Sequence, residues 1–195
     1  MIGCGLGQAF RLVNDPRAKA TAEEQLAQFN FLIKIRDKLS EANDAVISMR
    51  DLKSQVDDRL KKAPAPAVEE LSSNGTVLKG TVTNVEKEVY QIKNQSGQDP
   101  LNFPIRLNNK IAALNGVVSS APGKPTAQAM KVYDELAASL EKEMVRMKKV
   151  YSNDVVKYNE LLKKHGLAPL VPKVTKGKPT VAADFDDDAG ERTRW

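Results

Sequence analysis

The feature that most constrains this chain is a long stretch without helix breakers, because neither proline nor glycine occurs between Pro16 and Pro64. Thr21 and Glu24 are spaced as a capping box, in which each side chain bonds the backbone of the other at a helix start. An apolar stripe follows at spacings that alternate between three and four residues: Leu32, Ile35, Leu39, Ala42, Val46 and Met49, resumed after Lys53 by Val56, Leu60 and Ala63. The pattern predicts a heptad seam on one helix of about 40 residues, roughly 60 Å long. Such a helix needs partners along its whole length.

A second, less regular helix is predicted after the Pro64–Pro66 segment, whose prolines end the first helix. Its apolar positions are Leu71, Leu78, Val82, Val85, Val89 and Ile92. Gly75 and Gly80 each disfavour a helix by about 1 kcal/mol relative to alanine. We therefore expect fraying or a break near Asn74 and Gly75, and we expect Gly97 to be the C-cap at which the helix ends.

Two more helices are predicted in the second half of the chain. Pro104 suits the first position of a short third helix, whose stripe is Leu107, Ile111, Leu114 and Val118. Thr126 caps a fourth helix, which Gly166 ends. Its stripe is Tyr133, Leu136, Leu140, Met144, Met147, Tyr151, Val155, Tyr158 and Leu162. This eleven-residue repeat indicates a nearly straight or slightly right-handed seam.

The predicted fold class is all-α, an antiparallel bundle of two long and two shorter helices in residues 21–166. Residues 1–20 form a short extended lead-in. Residues 167–195 contain proline, lysine, glycine and a run of aspartates without any period, and we expect them to be a disordered tail. The core is expected to bury the following side chains: Leu39, Val46, Met49, Val85, Val89, Leu136, Leu140, Met147 and Tyr151.

Composition and charge exclude several classes of protein. The 30 basic and 25 acidic residues give a net charge of +5, but no segment concentrates the positive charge among aromatic residues, so nucleic-acid binding is not expected. No apolar run reaches the length of a membrane span, and no signal peptide is visible. Cys4 and His165 are the only residues of their types, which excludes a disulfide framework and an ordinary zinc site. We expect no cofactor and no metal.

The acidic residues are candidates for catalysis, but their pattern favours a structural role. Adjacent or nearby carboxylates occur in three pairs: Asp57 with Asp58, Glu69 with Glu70, and Glu141 with Glu143. The acids of the chain lie among bases on predicted solvent faces, so we expect them to have ordinary pKa values. His165 is interpreted as a cation near a helix C-terminus. Residues 184–188 begin like a calcium loop but fail at Ala189 and Trp195, where glycine and glutamate are needed. A solvated acidic tail is favoured.

The most distinctive polar motif is the turn that precedes the third helix. It is predicted to be a structural or interaction motif formed by Gly97, Asp99, Pro100, Asn102, Pro104, Arg106, Asn108 and Asn109. Its two prolines and dense polar side chains predict an ordered connection. We expect Asn102, Arg106, Asn108 or Asn109 to hold it by hydrogen bonds to backbone groups.

Residues 95–114 resemble the signature of the C-terminal helical region of bacterial BNR-repeat, sortilin-like β-propeller proteins, which are often labelled glycosyl hydrolases. Residues 14–17, 31–34, 36–39 and 125–128 also match in order, so the resemblance spans roughly residues 10–172. Residues 1–9 and 75–80 depart from it. In these proteins propellers and a small β-sandwich precede the helical region, and residues 10–13 resemble the last strand of the sandwich. The resemblance therefore implies a fragment or a C-terminal domain of an exported, periplasmic or extracellular protein.

Three hypotheses about function follow. The first is a non-catalytic helical interaction or scaffold module whose partner is the preceding β-sandwich or propeller. The second is a free-standing coiled-coil adaptor that forms homo-oligomers through the seam of the first helix. The third is a hydrolase in its own right. The propeller pattern S-x-D-x-G-x-T-W is absent from this chain, and the matching motif supplies no catalytic residue, so the chain alone is not expected to be an enzyme.

Overall fold

The computed structural model describes residues 15–94 and 101–173, together with residues 11, 13 and 98, and it contains helices but no strand in these parts of the chain. Helix α1 spans Ala22–Lys61, and a short 3-10 turn, Ala65–Ala67, leads into α2, Val68–Val89. Helix α3 spans Leu107–Ser119. Helix α4, Ala127–Lys149, continues through a π-helical turn, Val150–Val155, into α5, Val156–Lys164. The predicted all-α fold of two long and two shorter helices is confirmed.

The two shorter helices lie end to end along α1 and together form one broken rod. Helix α2 runs antiparallel to the C-terminal half of α1, because Lys79 bonds Asp57 at 2.6 Å while Glu86, further along, bonds Arg50 at 2.7 Å. Helix α3 runs antiparallel to the N-terminal half, where Gln28 Nε2 donates to the Val118 carbonyl at 2.6 Å. Residues 90–106 join the two halves of this rod.

The continuous helix α4–α5 is the third rod and runs parallel to α1. Tyr133 donates to the Lys34 carbonyl in the N-terminal half of α1. Tyr151, which comes later in the third rod, bonds the Ser48 hydroxyl at 2.8 Å, closer to the C-terminal end of α1. The bundle therefore consists of three rods. Helix α1 and the α4–α5 rod run in the same direction, and the α2–α3 rod runs antiparallel to both. Short connections favour this order, because consecutive antiparallel helices need only a few linking residues.

Local capping chemistry sets the ends of the long helices as predicted. Thr21 and Glu24 form the complete capping box of α1, and the Thr126 hydroxyl accepts a hydrogen bond from Ala129 N–H at the start of α4. Gly166 has a φ of +70°, in the left-handed region, at the end of α5. There the Leu167 N–H bonds the carbonyl five residues back, at 2.9 Å, which reverses the chain along α5 in the manner of a Schellman motif.

The prediction of fraying or a break near Asn74 and Gly75 in α2 is wrong, because the helix is continuous through both residues. Gly75 is buried where α2 crosses the other two rods, and a Cβ atom there would lie 3.0 Å from both Tyr158 Oη and Val56 Cγ1. The glycine is thus a point of close approach between helices. The predicted C-cap is also wrong, since α2 ends at Val89 and Tyr90 already has extended geometry. Gly97 lies outside the described residues.

The core is divided between the two halves of α1. One cluster combines Met49, Leu52 and Val56 of α1 with α2 and α5, and the other combines Phe31, Ile35 and Ala42 with α3 and α4. Of the predicted core, six side chains are buried: Val46, Met49, Val85, Val89, Leu140 and Met147. The other three, Leu39, Leu136 and Tyr151, are partly buried against these clusters.

The predicted eleven-residue repeat of the fourth helix meets a local irregularity. Val150 and Val155 are both buried although they are five residues apart. This spacing suits the π-helical turn between them, because its hydrogen bonds run from residue i to residue i+5. The turn keeps α4 and α5 facing the same core.

The expected start of the disordered tail at residue 167 is wrong, because residues 167–173 form an extended segment packed on α1 and α5. We call this segment the strap. Leu170 is only 2% exposed and belongs to the core cluster of α2 and α5. Burial of a leucine side chain contributes roughly 1.5–3 kcal/mol, which explains why this part of a proline-rich sequence is ordered. Residues 174–195, including the acidic run 184–188, lie outside the described residues.

Candidate functional site

The motif predicted before α3 lies at the junction between α2 and α3, opposite the middle of α1. Among the described residues, the side chain that bonds the backbone of this motif is Gln91, which is buried and donates from Nε2 to the Pro104 carbonyl at 2.8 Å. Asn102 and Asn109 are exposed. The backbone of the motif is therefore bonded by a residue that lies just after α2. Gln91 was not identified as this residue from the sequence. Gly97, Asp99 and Pro100 lie outside the described residues.

Arg106 and Asn108 point from the start of α3 towards neighbouring helices. Arg106 Nη1 lies 3.5 Å from Glu88 Oε2, and Asn108, which is buried, lies 3.5 Å from the side chain of Asn43. Arg106 Nε and Asn108 Oδ1 are buried without a hydrogen-bond partner among the described residues. The two residues thus contact side chains of α2 and α1, and the expected bonds from them to backbone groups are not found in this part of the chain.

A buried carboxylate is the main polar feature of the junction. Glu86 of α2 is 2% exposed and bonds Arg50 at 2.7 Å and Lys53 at 2.5 Å, both from α1. The Arg50 guanidinium also lies over the Tyr90 ring, 4.8 Å from its centroid, an arrangement worth about 0.5–1 kcal/mol. We call Arg50, Lys53, Glu86 and Tyr90 the junction cluster.

The electrostatics of Glu86 correct the expectation of ordinary pKa values. Burial raises the pKa of its carboxyl, but the hydrogen bonds and charges of Lys53 and Arg50 outweigh burial and hold the pKa below the ordinary value of 4.5. The carboxylate therefore stays charged at neutral pH and joins α2 to α1. A signal for it was present in the sequence, because Lys53 interrupts the seam of α1 at the point where Glu86 approaches.

Each of the three acidic pairs singled out in the sequence has at least one member in an ion pair. Asp57 bonds Lys79 at 2.6 Å, and Glu143 bonds Arg146 at 2.7 Å. Glu70 bonds His165 at 2.8 Å, and Lys164 lies 3.1 Å away. The hydrogen bonds from His165 and Lys164 lower the pKa of Glu70. His165 lies at the C-terminal end of α5, where the sequence placed it, and is the C-cap of that helix. Its ring joins this helix end to the start of α2.

An exposed apolar surface lies at the beginning of α1, on the side away from the core. Leu26 and Phe29 are 59% and 58% exposed. Ile33 follows four residues later and is partly buried. Spacings of three and four residues place these side chains on one face of the helix. We call Leu26, Phe29 and Ile33 the apolar stripe. It begins nine residues after the Asp15–Arg17 turn, in which the side chains of Asp15 and Arg17 bond at 2.8 Å.

The described residues contain no group of three or more His, Cys, Asp and Glu side chains that could hold a metal ion. None of the described helices has both the length and the apolar character that a membrane crossing requires. No family model, no curated protein and no solved structure matches the chain.

Proposed function

We propose that this chain is a non-catalytic helical interaction module and that its docking surface is the apolar stripe of α1. The observation that carries the proposal is the exposure of Leu26 and Phe29, each close to 60%, on the first turns of a helix whose opposite face is fully packed. Exposed apolar side chains grouped on one face are typical of surfaces that bind another protein domain.

The proposed partner is the β-sandwich or propeller region of a sortilin-like BNR-repeat protein. Support comes from the resemblance of residues 95–114 and from position. In the resembled proteins the sandwich and propellers precede the helical region, so they would approach this chain at the Asp15–Arg17 turn. The apolar stripe begins within three turns of that point.

The test supplies the sandwich and propeller region of such a protein in trans and measures its affinity for this chain by calorimetry. Phe29→Ser is expected to weaken binding at least tenfold, because it removes an aromatic side chain from the centre of the surface. The matched control is Ile47→Ser, since Ile47 is 60% exposed on the same helix outside the stripe. Lack of association by the unmodified chain would contradict the partner. Equal effects of the two variants would contradict the stripe.

Self-association through the α1 seam is less well supported. The seam residues Ile35, Ala42, Met49 and Val56 are all 0% exposed and pack within their own bundle. Pairing of two copies through them would first require the bundle to open. Sedimentation velocity distinguishes this alternative, because a seam-mediated dimer would be lost together with the fold, while a dimer formed by the stripe would be lost in Phe29→Ser alone.

Hydrolase activity of the isolated chain is also less well supported. A glycosidase needs a carboxyl group that donates a proton, which usually requires a raised pKa, and a second carboxylate about 5–10 Å away. The acids with shifted pKa values here, such as Asp51, Glu70 and Glu86, are all shifted downward by hydrogen bonds to cationic or amide groups. These groups are stabilised as carboxylates rather than as proton donors.

A further inference from the structure

The strap is held by side-chain amides that bond its backbone. Asn159 of α5 accepts from Leu170 N–H at 2.7 Å and donates to the Leu170 carbonyl at 3.1 Å. Gln55 of α1 does the same for the next residue, accepting from Val171 N–H at 2.9 Å and donating to its carbonyl at 3.0 Å. Each amide thus occupies both backbone groups of one residue, as a neighbouring β-strand would.

The two amides lie on opposite walls of one groove. In an extended chain, successive residues direct their backbone groups to opposite sides. Asn159 therefore binds Leu170 from the α5 side and Gln55 binds Val171 from the α1 side. Arg59 adds bonds to the carbonyls of residues 168 and 169 at 2.8 and 3.3 Å, and Ser48 donates to the Lys173 carbonyl at 2.6 Å. The groove between α1 and α5 therefore carries, along its length, side chains that form hydrogen bonds to the backbone of an extended segment.

Two side chains of the strap make its closest contacts with the groove. Leu170 enters the core, and Lys173 bonds Asp51 at 2.8 Å, while Leu167 packs partly buried against the same cluster as Leu170. The prolines at positions 169 and 172 flank the pair whose N–H groups are used, so the missing N–H of proline costs nothing there. The groove therefore selects an extended segment with a leucine and a basic residue three positions later.

We propose that the groove between α1 and α5 is a binding site for an extended peptide of a partner protein, and that the strap is its resident intramolecular ligand. The partner segment carries a leucine for the core pocket, a basic residue for Asp51, and free backbone groups at the leucine and the following residue. Backbone hydrogen bonds supply affinity and the two side chains supply selectivity, as in other complexes of extended peptides. This surface lies outside the apolar stripe and is independent of the proposed function above.

The strap competes with any partner because it is tethered. A short covalent link gives an effective concentration in the millimolar range. Weakening the strap should therefore reveal the site. We choose Leu170→Ser in the full-length chain, because it removes the buried anchor and leaves every groove residue unchanged. The probe is a fluorescent peptide with the sequence of residues 167–173, followed by anisotropy.

The peptide is expected to bind the Leu170→Ser chain saturably, and at least tenfold more tightly than the unmodified chain. Adding Asn159→Ala should weaken binding at least tenfold. Asn153→Ala is the matched control, because Asn153 is an exposed residue of the π-helical turn that bonds only Ser152 among the described residues. A peptide N-methylated at the position of Leu170 should also fail, because it lacks the proton that Asn159 accepts.

A second measurement keeps the test decisive if Leu170→Ser unfolds the protein. In the unmodified chain, the Leu170 and Val171 amides should exchange slowly with solvent, and millimolar peptide should accelerate both by displacing the strap. Absence of this acceleration, or absence of binding to a folded Leu170→Ser chain, would overturn the proposal. Dimers of the unmodified chain that Asn159→Ala abolishes would also overturn it, because they would identify a second copy as the occupant.

Discussion

Two glycines of α2 offer a direct test of how the rods pack. Gly75 is buried, and an added Cβ would meet Tyr158 Oη and Val56 Cγ1 at 3.0 Å each. Gly80 lies one and a half turns later on the exposed side of the same helix, and an added Cβ would meet nothing within 4 Å. The helix is regular at both positions. Replacement of each by alanine therefore compares the same local change in two surroundings.

The two substitutions are expected to change the free energy of unfolding in opposite directions. Alanine is more favourable than glycine in a helix by about 1 kcal/mol, so Gly80→Ala should stabilise the protein by about that amount. Gly75→Ala has the same local gain, but its neighbours cannot move freely. Val56 is fully buried, and Tyr158 Oη is fixed by a 3.2 Å bond to the Leu71 carbonyl. Overpacking costs about 1–3 kcal/mol, so Gly75→Ala should destabilise by up to about 2 kcal/mol.

The assay is urea denaturation of both variants and of the unmodified protein, followed by circular dichroism. A double-mutant cycle then assigns the cause. In a Val56→Ala background one of the two contacts is gone, so Gly75→Ala should become less unfavourable by at least about 0.5 kcal/mol. Equal stabilisation by Gly75→Ala and Gly80→Ala would refute the close approach of the rods.

Three further predictions concern the core, the junction cluster and activity. Leu140→Ala should lower the free energy of unfolding by about 2–5 kcal/mol, because Leu140 is 0% exposed; a loss below about 0.5 kcal/mol in denaturant titration would contradict the bundle. Glu86→Gln should cost about 1–3 kcal/mol at pH 7, because it removes charged hydrogen bonds to Arg50 and Lys53. Because the folded protein lowers the pKa of Glu86, its contribution is complete above the ordinary value of 4.5 and is lost as the pH falls through the lowered pKa. Unfolding between pH 7 and pH 3 should therefore depend less steeply on pH in Glu86→Gln, while Asp58→Asn, in an exposed pair, should behave like the unmodified chain. The isolated chain should hydrolyse no chromogenic glycoside; turnover that Glu86→Gln abolished would contradict the non-catalytic assignment.

The parts of the fold that local sequence determines could be predicted. The capping box at Thr21, the cap at Thr126 and the left-handed Gly166 each depend on residues within five positions of one another, and all three are present. The stripes of α1 and α4 likewise follow from helical periodicity. The burial of individual side chains could not be predicted as reliably, because it depends on which rod lies opposite each position. Phe31 and Leu52 were outside the predicted stripe and are buried, whereas Leu39 is only partly buried.

The candidate sites depend on contacts between residues that are far apart in the sequence. The local sequence pattern could not predict them, because it contains no information on which distant residues meet. Glu86 meets bases more than 30 positions earlier in the chain, and the strap meets Gln55 at a separation of 116 positions. Nothing in the neighbourhood of Leu170 distinguishes it from an apolar residue in a flexible tail, because its burial requires the groove formed by α1 and α5.

The irregular positions were nevertheless informative. Lys53 interrupts the α1 seam, and Gly75 weakens α2 by about 1 kcal/mol relative to alanine. Each lies where another rod makes a specific contact: Lys53 bonds the Glu86 carboxylate, and Gly75 allows the close approach of Tyr158 and Val56. Gly80 has the same local cost as Gly75 but no such contact, since an added Cβ there would meet nothing within 4 Å. An irregular residue within a continuous helix therefore indicates the position of a neighbouring helix at Lys53 and Gly75, but not at Gly80, where the same helix faces solvent.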